Sequence, residues 1–184
     1  MKVKNVTIYE YITGQDNGEC DAFLDVINPK NELCGNDCNF NRLTFDEVEV
    51  IKSILRNPNL KDMKDIFMML YNVRGSFKQS AENEFYEESI YKFFAARKYL
   101  INFINEISEK ERKHLSTEAC EKWEMVNGGK RLAPVSHLLT KIRLAKEFST
   151  TPREIGNMKY SEIFSILVAE NRYNSVMKDY NQIK

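Results

Sequence analysis

The sequence predicts a mainly α-helical protein, a bundle-like domain of six to seven helices with a small N-terminal β ribbon. Three observations carry this. Apolar residues recur at intervals of three and four from residue 44 onward, Ser/Thr-x-x-Glu capping boxes mark helix starts, and extended patterning is confined to the first stretch of the chain.

Residues 2–12 carry Val3, Val6, Ile8, Tyr9 and Tyr11, a β-branched and aromatic series that ends at Thr13-Gly14 and predicts a strand. A second extended piece at Phe23 to Ile27 stops before Asn28-Pro29, and the two together make the expected ribbon. Residues 28–43 form a loop rich in Asn, Gly and Asp. Thr44-Phe45-Asp46-Glu47 is a capping box, and Val48, Ile51, Ile54 and Leu55 follow at helical spacing until Asn57-Pro58. The next helix, Lys61 to Asn72, turns Met63, Ile66, Phe67, Leu70 and Tyr71 inward.

A long helix is expected from Glu82 to Ile107. Ser108 with Glu111 forms a second capping box, opening a helix through Leu115, Ala119 and Trp123 to a stop at Asn127-Gly128-Gly129. Pro134 in a first turn begins another, with Val135, Leu138, Leu139, Ile142, Ala145 and Phe148 inward. Thr151-Pro152-Arg153-Glu154 is a third box. The last helix starts near Tyr160 and carries Ile163, Phe164, Leu167, Val168, Val176 and Met177. These elements suggest an extended ribbon and loop over 1–43, a helical core over 44–127, and a basic C-terminal lobe over 130–184 that joins the core as one compact unit.

The 184 residues carry 27 basic and 27 acidic side chains, so no global field draws the chain to nucleic acid or membrane. The charge is uneven: residues 1–60 hold six basic and ten acidic groups, residues 61–129 eleven and twelve, and residues 130–184 ten and five. The C-terminal third is therefore where an anionic partner is expected, with Arg143, Lys146, Arg153 and Lys159 as candidate partner-binding residues. The apolar runs are far shorter than the ~18 residues that span a bilayer, and no basic-then-apolar leader opens the chain. A soluble, intracellular protein with reduced thiols is expected.

Cys34 and Cys38 bracket Gly35-Asn36-Asp37, with Cys20, Cys120, His114 and His137 as conceivable further zinc ligands. Structural zinc sites favour thiolates two residues apart with a matching second pair, which is missing, so ordinary cysteines in a turn are expected and no metal or cofactor. His114 and His137 have no motif partner, and Ser136 diverges by about 100° from its neighbour His137 on a helix. The carboxylates at Glu82/Glu84/Glu87/Glu88 and Glu118/Glu121/Glu124 suit helix surfaces. Gly128-Gly129 lacks the strand and the Lys-Ser/Thr of a phosphate loop. No catalytic residue is expected. Residues 135–160 have the outline of a helix-turn-helix, which makes DNA binding the alternative function, although Arg153, Asn157 and Lys159 offer few basic contacts.

Leu43-Thr44-Phe45-Asp46-Glu47-Val48-Glu49-Val50-Ile51, with Asp65-Ile66-Phe67-Met68-Met69-Leu70-Tyr71 beyond it, and Phe148-Ser-Thr-Thr-Pro-Arg-Glu-Ile-Gly-Asn-Met-Lys-Tyr-Ser-Glu-Ile-Phe resemble elements of helical proteins from tailed-bacteriophage virion and tail modules. These include tail-assembly chaperones and neck, ring or baseplate components. Asp46 stands where that opening usually carries Gly. The resemblance implies a non-enzymatic part of an oligomeric assembly, in the virion or the host cytoplasm, that binds other virion or tail-assembly proteins. Eleven Phe, nine Tyr and one Trp suit that expectation, since aromatic residues are enriched at protein interfaces.

Overall fold

The computed structural model describes residues 6–14, 26–56, 60–72, 78–116 and 121–183. It is mainly helical: α1 (Ile8–Thr13), α2 (Phe45–Arg56), α3 (Leu60–Leu70), α4 (Lys78–Glu87), α5 (Ile90–Leu115), α6 (Glu121–Met125), α7 (Gly128–Leu132), α8 (Ser136–Glu147), α9 (Pro152–Asn157) and α10 (Tyr160–Gln182). Short 3-10 turns lie at Phe40–Arg42 and Ala133–Val135. Among the described residues, β-type pairing is limited to isolated bridges, and no helix is long and apolar enough to cross a membrane. The chain divides into two compact units, Met1–Phe40 with Ile51–Asn105, and Asn41–Val50 with Glu106–Lys184.

In the first unit the expected N-terminal strand is corrected over residues 8–13, which are helix α1. The cause is local. Thr7 and Glu10 form a capping box, with the Glu10 N–H donating to Thr7 Oγ1 at 3.1 Å and the Thr7 N–H to Glu10 Oε2 at 2.8 Å. Of the second expected strand, residues 23–25 lie outside the described residues, while Val26 sits in a turn and Ile27 is buried outside any strand.

The single long helix expected from Glu82 is two helices, α4 and α5, broken at Glu88-Ser89. Backbone groups there turn to the N-terminal segment: the Ile8 N–H donates to Glu88 O, and the Ile90 N–H to Val6 O, each at 2.9 Å. The Ser89 N–H is taken by the Glu88 carboxylate at 2.8 Å. Each of these bonds diverts a group that the helical ladder needs.

The first unit's core is aromatic. Met63, Ile66, Phe67, Leu70 and Tyr71 are buried along α3 and the residue that follows it, the face the periodicity predicts. Phe67 stacks on Tyr71 with centroids 5.9 Å apart and meets Phe93 at 5.1 Å; Phe93 in turn meets Phe85 and Phe94. The fully buried Tyr71 hydroxyl has no hydrogen-bond partner among the described residues, and burial raises its pKa, keeping it neutral.

In the second unit the capping boxes at Thr44 and Thr151 form as the sequence predicts. The Glu47 N–H donates to Thr44 Oγ1, and the Glu154 N–H to Thr151 Oγ1, each at 3.2 Å, with the carboxylates returning to the cap N–H groups. The α2 and α10 starts are joined by paired backbone bonds, Phe45 N–H to Met158 O and Tyr160 N–H to Leu43 O, both 2.9 Å. Between them Phe45, Leu144, Ala145, Ile155 and Ile163 form a small core. Thr44→Ala and Thr151→Ala are each expected to cost about 1 kcal/mol through an orphaned N–H, read as a lower urea midpoint; an unmoved midpoint would remove the caps from the account.

The expected cap at Ser108 is corrected, because Ser108 lies inside α5 and the Glu111 carboxylate accepts from the Tyr160 hydroxyl at 2.8 Å instead. The stop expected at Asn127-Gly128-Gly129 does end a helix: α6 finishes at Met125, and Asn127 takes a left-handed φ of 52°. Gly128 begins α7, and a Cβ there would overlap the Trp123 ring, so a bare Cα is what the close approach requires. Gly156 likewise lies against Asp46, which is paired with Lys141 at 2.7 Å.

Candidate interaction surface

The cysteine loop is a backbone device. Cys34 (φ 48°) and Gly35 (φ 71°) are the two central residues of a tight turn closed by paired backbone bonds between Leu33 and Asn36. Asn31 clamps Cys38 through both its backbone groups, and the Cys34 N–H donates to Glu88 Oε2 at 2.9 Å. Burial and the carboxylates of Glu88 and Glu84 push the Cys34 thiol up to about 12, so it is a protonated thiol rather than a metal-ready thiolate. Among the described residues no group of three or more His, Cys, Asp or Glu is placed to hold a metal, and Cys20 and Cys120 lie outside the described residues.

Two of the carboxylates grouped at residues 82–88 are held in ion pairs. Glu82 pairs with Lys64 at 3.0 Å and Glu88 with Lys92 at 3.2 Å. His114 packs edge-on against Phe164, whereas His137 is exposed on α8.

The four basic candidates of the second unit divide. Arg143 grips Glu170 with two bonds of 2.6 and 2.7 Å, and these hold the Glu170 carboxyl below its ordinary pKa range. Lys159 lies 3.9 Å from Glu162. Lys146 and Arg153 are exposed. The helix-turn-helix outline resolves into α8, a turn through Ser149 (φ 52°), and a six-residue α9 whose Ile155 and Gly156 are buried; Pro152, Arg153, Glu154 and Asn157 face outward.

The apolar face expected to point inward on α8 is corrected. Leu144 and Ala145 are buried, but Val135, Leu138 and Leu139 are 40–42% exposed and Phe148 is 46% exposed. Only the C-terminal half of α8 meets the core, because Phe45, Ile155 and Ile163 lie against Leu144 and Ala145. Leu132 on α7 continues this open line at three- and four-residue intervals, and Trp123, Met125 and Val126 add further exposed apolar area. On α10, Val176 is exposed, with Tyr173, Tyr180 and Ile183 exposed as well. The aromatic surplus in the composition hinted at such surfaces but located none of them.

Comparison of the chain with protein families, with curated proteins and with solved structures finds no match.

Proposed function

We propose that the chain is a protein–protein interaction component of a tailed-bacteriophage particle or of its tail-assembly machinery, acting without catalysis, in the virion or the host cytoplasm. The observation that supports this best is the line Leu132, Val135, Leu138 and Leu139, large apolar side chains left 36–42% exposed on adjoining helices with basic Lys146 and Arg153 on the same unit. Apolar patches with a charged rim are what protein partners cover. The resemblance of residues 43–51, 65–71 and 148–164 to phage virion and tail proteins directs the choice of partner.

The test is a pull-down of purified phage structural and tail-assembly proteins by the full chain, with Leu138→Asp/Leu139→Asp as the paired variant. Both side chains are already half in solvent, so the fold should persist by circular dichroism while capture is lost. Lys146→Glu/Arg153→Glu should slow association at low salt. A chain that captures none of these proteins and is missing from purified particles would overturn the proposal.

A further inference from the structure

The C-terminal half of α10 is a helix with solvent nearly all round it, since residues 172–183 are exposed apart from the half-buried Met177. Its large apolar side chains are not scattered. Ala169, Tyr173, Val176, Tyr180 and Ile183 follow one another at intervals of three and four, the a and d positions of successive heptads. At 100° per residue they form a stripe turned away from Tyr160, Ile163 and Leu167, which with Ile166 pack against the core of their own unit. The outer members are strongly exposed, at 65% for Tyr173, 64% for Val176, 68% for Tyr180 and 82% for Ile183.

We infer that this stripe pairs with the same stripe of a second copy of the chain, as an antiparallel two-helix coiled coil. The flanking residues select the occupant. With Tyr173 opposite Val176 of the second copy, Tyr180 falls opposite Ala169, so bulky and small side chains meet in every central layer. In this register the g positions face each other, and they are Arg172 and Asp179. Arg172 of each copy then meets Asp179 of the other, giving two symmetric ion pairs, and neither residue has an ion-pair partner among the described residues of its own chain.

On the other side of the stripe the e position Met177 of each copy meets Glu170 of the other, whose carboxylate Arg143 already holds, so no like charges are opposed. A parallel pairing would set Arg172 against Met177 and lose this complementarity.

Two heptads bury less than the roughly 1,200 Å² of a standard interface, so the dimer is concentration-dependent. The inference rests on α10 alone and stands apart from the particle proposal.

Sedimentation equilibrium of the full chain over a concentration series tests it. The mass should rise from 21.6 kDa toward twice that value. Arg172→Asp and Asp179→Arg, each placing like charges opposite one another, should weaken the dimer at least ~10-fold, and the doubly swapped chain should recover to within ~3-fold of the original. All three variants should keep their helix content, because both side chains are exposed. A chain that stays at 21.6 kDa throughout, single variants that dimerise unchanged, or a double variant that fails to recover would each overturn the antiparallel self-pairing.

Discussion

Phe67→Ala is expected to destabilise the first unit by about 3–5 kcal/mol, the range for removing a fully buried aromatic ring. Phe67 is 0% exposed and stands between Tyr71 and Phe93. The cavity would open against rings that cannot fold into it, because Phe93 is itself held by Phe85 and Phe94. Relaxation is therefore small, and the loss falls toward the upper end. Thermal and urea unfolding followed by near-ultraviolet circular dichroism would register it. A change below about 1 kcal/mol would mean that the aromatic cluster is not the centre of this unit.

In the second unit Leu144→Ala should cost about 2–5 kcal/mol while Phe148→Ala, four residues further along, costs less than about 1 kcal/mol. Leu144 is 0% exposed and closes a small core with Phe45, Ala145, Ile155 and Ile163. A core of so few residues has no second layer to collapse into the space. Phe148 is 46% exposed, so truncation returns little area to water. The same two variants in the urea assay decide the matter. Equal losses, or a larger loss at Phe148, would show that the turn after α8 is packed from inside and that this account of its exposure is mistaken.

The features legible in the sequence are those whose physics is contained within four residues. The caps at Thr44 and Thr151 needed only a hydroxyl and a carboxylate three positions apart, and both formed. The α3 stripe was legible for a similar reason: five strongly apolar side chains at helical spacing leave one face to bury. Thr7-Ile8-Tyr9-Glu10 carried the same capping signature, but the β-branched and aromatic residues around it pointed to a strand, and the local hydrogen bonds outweighed that preference. The basic candidates were legible as charges alone. That Arg143 is committed to Glu170, 27 positions away, while Lys146 stays exposed, has no local signature.

By itself the sequence determined that the chain is mainly helical and where the helices capped by Thr44 and Thr151 begin. Tertiary structure decided the rest. The break at Glu88-Ser89 exists because the segment at Val6–Ile8 supplies competing backbone partners some eighty positions away in sequence. Leu144 is inside and Leu138 half outside because Phe45, Ile155 and Ile163 reach only one end of α8. Helical periodicity specifies that a face is apolar, whereas burial is a property of what lies against it, and for these elements that neighbour comes from distant parts of the chain.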